Sequence, residues 1–522
     1  MQRKQAQKCK NMRKNIIMSL ATVLACGTAM AGGLNTNTNV NAHFLRFFTQ
    51  DANVTLTALH ANPAGSAFLT KGWHFSIHNQ VAIQQRNVTT TFPLFVYNPK
   101  NYGSDTHRYE GRAFAPVIPA IGFSYNSGKK WSINGQLAVV GGGGACEFEQ
   151  GIGSFEALYA GNLYANVAPA YIGTVVPQLM AAGMDQASAT ARARQMFSDN
   201  YRFSNTAYMK GSNYMFGLQV GATYKVLDNL AVFAGIRGVY ATGNYNGYVQ
   251  DVMYSTDGGN NYTYATQNGT QELAGQTVNV NGRNTTLSMN CDQTGFGVTP
   301  ILGIHWTINK HWNLAAKYEF KTKIRMKNTT DMNEYTQTLV NPSNPNYSHT
   351  LAAYADGKKV ADDIPGYLAI GTQYSPKDNI RIGFAYHWMQ DGSANKGTAE
   401  ITNPDGSKSI VDKRDLIDHD THEVLAGVEW MCHERLTISG SWQKTMYGVK
   451  DQYMNDISFC CSSNSLGCGM RIHASRLFNI DLGYMHTFYQ DRTVVTPTAV
   501  GPKTDTYNRH NDVIGVGLNF AW

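Results

Sequence analysis

Hydrophobic and polar residues alternate one by one over long stretches of this chain. The final segment, DVIGVGLNFAW, puts Ile514, Val516, Leu518, Phe520 and Trp522 on one face and Val513, Gly515, Gly517, Asn519 and Ala521 on the other. That period of two is the pattern of a strand with one greasy and one small or polar face. It recurs in pairs around tight turns: residues 121–125 and 131–139 around NSGKK, 214–224 and 230–240 around VLDN, and 302–308 and 312–320 around NKH. Residues 368–374 and 380–388 flank SPKDN, 424–430 and 436–442 flank MCHE, and 470–472 and 478–484 flank ASR. Six hairpins give twelve strands, and a strand at about 73–91 plus the terminal one make fourteen. An even count, short turns on one side and long polar connections on the other (251–281, 329–365, 390–420) predict an all-β fold, a 14-stranded antiparallel transmembrane β-barrel.

The tryptophans provide an internal check. Trp73, Trp131, Trp306, Trp312, Trp388, Trp430, Trp442 and Trp522 all fall in the outward register, most of them beside the tight turns. Amphipathic rings gathered at strand ends are what a bilayer interface favours. A soluble propeller also alternates, but it requires repeats of similar length with a blade signature, which the sequence lacks.

Two regions break the alternation. Residues 32–72 precede the first strand, with short helical turns expected over NAHFLRFF and VTLTALHA, and are long enough to fill a lumen. An insertion at about 150–205 is rich in Ala, Met, Leu and Gln, and a helix is expected around Pro177 to Phe197. Its Phe155, Leu158, Tyr159, Leu163, Tyr164 and Tyr171 offer either an outer capture surface or a loop that packs on itself.

The amino end changes what the charge means. A basic stretch from Lys8 to Lys14, an apolar run from Ile16 to Ala31 and the closing triplet Ala29, Met30, Ala31 have the layout of a secretory signal peptide, with cleavage expected after Ala31. The rival is a lipoprotein box ending at Cys26; an uncleaved anchor needs roughly 20 apolar residues. Removing residues 1–31 takes Arg3, Lys4, Lys8, Lys10, Arg13 and Lys14 with no acidic residue, so the net charge of +7 falls to +1. No argument for a nucleic-acid partner survives that subtraction. Six cysteines remain in a pattern that matches no zinc site, and a local bridge from Cys468 to Cys460 or Cys461 is open. No cofactor, metal centre or catalytic set is indicated by spacing.

Within the amino-terminal region lies LHANPAGSAFL. Its Asn62, Pro63, Ala64 and Gly65, placed between a signal peptide and the first of fourteen strands, resemble the Asn-Pro-Ala motif of the FadL/TodX family of outer-membrane transporters for long-chain fatty acids and other hydrophobic compounds. The resemblance covers essentially the whole mature chain; Ser66 stands where a large apolar residue is commoner. It implies an N-terminal hatch at 32–72 plugging a barrel at 73–522, and a bacterial outer-membrane location with both termini periplasmic.

The resemblance also bears on VVGGGGACEFEQ, where Gly141, Gly142, Gly143 and Gly144 are expected to end the third strand. In the family that strand is kinked inward and opens a gap through which an apolar ligand slides into the membrane. Glycine weakens a ladder and tolerates sharp bends, so these four are either a gate or a flexible exit into the helical insertion. Leu34, Phe44, Leu45, Phe47 and Phe48 are candidates to line or occupy a ligand pocket. Parity points Arg237, His305, Lys317, Lys321, Arg381 and Arg471 into the lumen, with Glu319 a ready partner; of these Arg237, Lys317, Arg381 and Arg471 are the candidate head-group cations. The expected partners are a long-chain fatty acid or other apolar small molecule, outer-membrane lipid, and the barrel assembly machinery during insertion of a monomer. Aromatic hydrocarbons, haem or small solutes are the alternative cargo.

Overall fold

A computed structural model describes residues 34–264, 270–273, 276–279, 287–344 and 348–522; the expected signal peptide lies outside these residues. The wall is a closed antiparallel barrel of fourteen strands. In chain order they are β1 (Gly72–Thr91), β2 (Thr106–Asn126), β3 (Trp131–Phe148), β4 (Arg202–Leu227), β5 (Leu230–Ser255) and β6 (Leu287–Thr307). Then come β7 (Trp312–Glu319, resuming at Arg325–Met332), β8 (Lys359–Asp362 and Tyr367–Lys377) and β9 (Ile380–Met389 and Lys396–Thr402). The circuit ends with β10 (Ile417–His433), β11 (Leu436–Val449), β12 (Ser463–His473), β13 (Phe478–Tyr489) and β14 (Lys503–Ala521). Residues 74–91 of β1 pair with residues 504–521 of β14, so the sheet has no free edge at its ends.

Alternation sorts the side chains as the sequence predicts. Leu218, Val220, Ile236, Leu302, Ile304, Ile514 and Val516 are exposed on the outside, while their neighbours Gln219, Arg237, Ile301, His305 and Val513 are buried within. Seven of the eight tryptophans are exposed, and Trp388 is partly covered, its indole N–H donating to Asp420. Near the tight turns the rings pair across strands: Trp73 with Tyr125, Trp131 with Tyr224 and Trp312 with Tyr374, at centroid distances of 4.8, 4.6 and 4.5 Å. An apolar outer wall ending in an aromatic girdle is the surface of a bilayer-spanning barrel. Strands such as β4 and β5, each 26 residues long, exceed the roughly 9–11 residues that cross a membrane, so the wall continues beyond it on the loop side.

Parts of the long connections form strands. Strand pairing continues through 396–411 and 325–332 because the walls keep exchanging backbone hydrogen bonds above the apolar band. The insertion forms two helices, α1 (Gly153–Ala181) and α2 (Gln186–Asn200), in place of the single helix expected near 177–197. Gly183, at φ 97°, ends the first, and Asp185 starts the second by accepting from the backbone N–H of Ala187 and Ser188. The six cysteines among the described residues are free; Cys461 is buried whereas Cys468 is exposed, so the bridge left open above is not formed.

Residues 34–71 are largely buried, and their contacts are with inward side chains of the wall. The backbone turns through 41–46, and two 3-10 helices follow at Leu56–Leu59 and Pro63–Phe68. Arg46 is fully buried and reaches two acids on opposite sides: its guanidinium donates to Glu429 at 2.7 Å and to Asp481 at 2.9 Å. Glu429 is shared with Arg381 and Asp481 with Arg471. Asp51 meets His387 at 3.2 Å, and His387 meets Glu423 at 3.0 Å. These contacts tie the segment to β9, β10 and β13.

Replacing Arg46 by Met strips two buried carboxylates of one partner each. Both retain a second cation, so the expected cost is near the low end of the range for a broken buried pair, about 3 kcal/mol. The check is protease digestion of the folded, detergent-solubilised barrel: cleavage within residues 34–71 should rise sharply in Arg46→Met, and unchanged protection would show that the charge cluster does not hold the segment.

Candidate functional site

The glycine run lies inside β3, not at its end as the sequence suggested: strand geometry continues through Gly141–Gly144 to Phe148. Continuity comes from β4, which still pairs with Gly141 and Gly144, though the register slips between Val139 and Gly141 and again between Gly141 and Gly144. Gly142 (φ 94°) and Gly144 (φ 75°) occupy backbone conformations that a side chain disfavours. A Cβ on Gly142 would stand 2.4 Å from the Asn213 carbonyl oxygen.

On its other side β3 loses its partner. β2 and β3 are paired from Ile121/Leu137 to Asn126/Ser132 and again at Arg112/Glu147, with no pairing between these points. The cause is visible on both strands. Opposite the glycines, β2 carries Pro116 and Pro119, which have no N–H to give a ladder. On the β1 side of the prolines, at a bulge in the β1–β2 ladder, the Asn79 side chain accepts from Ile118 N–H at 3.0 Å and donates to the Pro116 carbonyl at 3.2 Å. From the lumen, Asn37 N–H donates to the Val140 carbonyl at 2.9 Å and the Asn37 amide to the Val139 carbonyl at 2.8 Å. The two prolines are the signal that the sequence reading missed.

Behind this seam is a cavity of about 250 Å³ lined by Gly142, Gly143, Gly144, Leu34 and Asn35 together with residues from the far wall and the loops. Its apolar surface includes Tyr245, Tyr354, Tyr453 and Phe459. Four cations reach it, Arg86, Arg509, Lys396 and Lys413, against one lining acid, Asp362. Lys396 is paired with Asp362 at 3.0 Å. Among the described residues no carboxylate forms an ion pair with the other three. Arg86 donates to Gln84 at 2.6 Å and to the Gly143 carbonyl, Arg509 stacks over Tyr489 at 4.7 Å with its buried Nε unsatisfied, and Lys413 lies over the Tyr453 ring at 5.9 Å. Burial together with neighbouring Lys396 lowers the Lys413 pKa, and burial pushes the Cys460 thiol up to about 12. Outside, over the unpaired stretch, a groove of about 600 Å³ is lined by Ala113, Phe114, Ala145 and the charged Arg108, Arg112, Glu147 and Lys210.

The other residues singled out by sequence fall elsewhere. Arg237 forms a 2.5 Å ion pair with Glu319, which also holds Lys317 at 2.6 Å; Arg381 pairs with Glu429 at 3.0 Å and Arg471 with Asp481 at 2.8 Å. All four are thus engaged in lumen ion pairs away from the cavity lining. Lys321 lies past the end of its strand segment, donating to the Ser393 carbonyl. Of the apolar candidates only Leu34 lines the cavity; Phe44, Leu45 and Phe48 pack among Ala82, Ile118, Val139, Leu425 and Met485, and Phe47 is buried against Gly383 and Gly427.

The Asn62–Gly65 stretch is a docking point. The Asn62 side chain accepts from Ala64 N–H at 3.1 Å and donates to the Ile304 carbonyl at 2.8 Å, Pro63 opens the 3-10 turn, and Ala64 packs on Phe233 and Ile301. A Cβ on Gly65 would come within 3.3 Å of the Asn53 carbonyl oxygen. Ser66 is polar because its hydroxyl meets Ser132, Thr223 and Asn134 at 2.9–3.0 Å. The helical insertion packs on the barrel rim: Leu163, Phe197 and Tyr201 are buried with Phe92, Phe95 and Phe148, and Tyr164 and Tyr171 lie against them. Leu158 and Met180 remain exposed. Buried Glu156 fixes α1 to the β1–β2 connection by accepting from Asn98, Asn101 and Tyr109 at 2.8, 2.8 and 2.5 Å.

The wall is thus a closed bilayer-spanning barrel, with residues 34–71 buried against its inward side chains and an interior cavity beside a break in strand pairing. Solved structures place that fold more narrowly. The chain superposes on a Pseudomonas aeruginosa FadL homologue with a TM-score of 0.62 at 13% identity, covering 94% of this chain and 100% of that one. It also matches the Pseudomonas putida toluene transporter TodX (TM-score 0.50, 12% identity, 94% and 99% covered) and a TodX monoaromatic hydrocarbon channel variant (TM-score 0.53, 11% identity, 94% and 100% covered). No protein-family model matches the sequence, and no curated protein matches it. The chain therefore has the fold of these channels.

Gly142→Ala should lower barrel stability by about 1–3 kcal/mol, since it forces a Cβ into a left-handed conformation and against a carbonyl. Thermal unfolding followed by the heat-dependent shift in gel mobility measures it. Gly143→Ala serves as the control: its Cβ would meet nothing closer than Arg86 at 3.9 Å, and its melting should match the parent.

Proposed function

We propose that this protein is an outer-membrane transporter of the FadL/TodX family that takes up long-chain fatty acids or similar amphipathic carboxylates. The observation that carries the reading is the unbalanced charge of the cavity: three cations with no acidic partner among the described residues, set among aromatic rings and backed by the glycine run. A group with both an apolar tail and a negative head satisfies that surface. The tail gains about 0.8 kcal/mol for each CH₂ removed from water, and the head forms charge-assisted bonds to Arg86, Arg509 and Lys413. The four cations named from sequence are each engaged by a carboxylate within the lumen, so the head-group role passes to these three. TodX is a toluene transporter and monoaromatic hydrocarbon channel, and the tyrosines here would accept such rings; guanidinium groups without an acidic partner among the described residues favour an anion.

The route follows from the seam. Cargo is captured on the loop side near the helical insertion, held in the cavity, and released sideways between β2 and β3, where no ladder has to be broken, into the bilayer. Residues 32–72 act as the hatch, and Leu34 and Asn35, which line the cavity next to the glycines, are the part displaced when the path opens. The tight turns and both termini face the periplasm, and the barrel acts as a monomer after insertion by the assembly machinery.

Two measurements test this. Arg86→Gln combined with Arg509→Gln should weaken oleate binding by about 10–100-fold while leaving oleyl alcohol binding unchanged, because only the former carries the charge; equal losses for both would exclude a head-group role. Gly143→Phe places a ring at an unstrained position beside the opening. It should reduce oleate uptake by cells at least tenfold with melting retained, and uptake at the parent rate would reject the lateral route.

A further inference from the structure

The outer face of the barrel carries a cluster unrelated to the cavity. His486 of β13 and Asp512 of β14 are directly opposite in the ladder, and His510 is two residues along β14 on the same face. Their polar atoms converge: His486 Nδ1 lies 2.8 Å from Asp512 Oδ1, and His510 Nε2 lies 2.9 Å from Asp512 Oδ2. The imidazole rings stand 4.7 Å apart at 67°. Tyr484, on the same face, donates its hydroxyl to Asp512 Oδ1 at 2.6 Å and fixes the carboxylate. Two imidazoles and a carboxylate thus offer three ligand atoms within 4.8 Å of one another, partly shielded yet reachable from outside.

We propose that His486, His510 and Asp512 form a surface site for a first-row divalent transition metal, with zinc(II) the reference ion. Imidazole nitrogen selects such ions over magnesium and calcium, which prefer oxygen alone. Ligand atoms around tetrahedral zinc stand about 3.3 Å apart. Small side-chain rotations therefore open the present hydrogen-bonded spacing enough to admit an ion. The proton on each inward ring nitrogen moves to the outward one as the metal replaces it, so both imidazoles coordinate in the neutral form. Tyr484 supplies the outer hydrogen bond that orients a coordinating carboxylate. Three protein ligands leave a coordination position for water or another oxygen donor. Spanning β13 and β14, the ion would clamp two adjacent wall strands next to the β14–β1 seam.

The test uses the full chain in detergent, treated with a chelator, dialysed and titrated with zinc chloride in a calorimeter. One equivalent should bind with micromolar affinity. Asp512→Asn and the double variant His486→Gln, His510→Gln should each lose at least about tenfold in affinity while keeping the parent's heat-dependent gel shift and oleate binding. Cobalt(II) substitution should give the visible absorption of a low-symmetry site in the parent and not in the double variant. Absence of zinc binding in the parent, undiminished binding in the double variant, or displacement of zinc by millimolar magnesium would each overturn the assignment.

Discussion

A transmembrane wall of β-structure is stable only if every backbone donor and acceptor in it is paired, because hydrocarbon offers no substitute. That requirement makes the interval between β2 and β3 the point on which the rest of this molecule turns. Pro116 and Pro119 withdraw donors from one strand, while Gly142 and Gly144 bend the other away. Carbonyls of β3 next to the glycines are taken up by Asn37 from the amino-terminal segment, and Asn79 closes the β1–β2 bulge beside the prolines. The segment inside the bore therefore completes the hydrogen bonding of the wall as well as occupying space. A break of this kind needs a filled lumen behind it, and that couples two features which look separate in sequence.

The same coupling explains why the interior is divided into two electrostatic zones. Toward the tight turns, the five cations Arg46, Arg237, Lys317, Arg381 and Arg471 share the three carboxylates Glu319, Glu429 and Asp481 in buried pairs. Such networks contribute modestly to net stability compared with apolar packing, but removing one member leaves a stranded charge. They fix where the segment sits more than how strongly the barrel holds together. In the cavity beside the glycines one acid faces four cations.

Most of the architecture was legible because the strand period is two and the environment is two-sided: each wall residue faces hydrocarbon or the bore, so parity alone assigns it. Trp73, Trp131 and Trp312 advertise the girdle, and the tight turns separate the hairpins. Parity fails where contacts are set by shape in three dimensions. It correctly sent Arg237 and Lys317 inward but could not show that Glu319 engages both. It was silent on Arg86 and Arg509, which lie 423 positions apart and meet only because β1 closes against β14, pairing these two residues directly. The glycines read as a strand end because four missing side chains erase alternation, whereas β4 continues to pair across them.

Placement of the glycines within β3 changes what they can do. A flexible exit at a strand end would leave the seam closed and merely loosen the loop beyond it. A bend inside a strand that remains anchored to β4 on one side and free of β2 on the other keeps a defined opening at fixed height, with the cavity on its inner face and a groove on its outer face. Only the second arrangement allows a gap and a folded wall to coexist, since the anchored side carries the hydrogen bonds that the open side gives up. Under the proposed function, charge would then set direction: an anionic head held by Arg86 and Arg509 would lie behind the seam, so an apolar tail would reach hydrocarbon before the head had to leave its partners, and the cost of releasing the charge would be met late, against the gain already made by the tail.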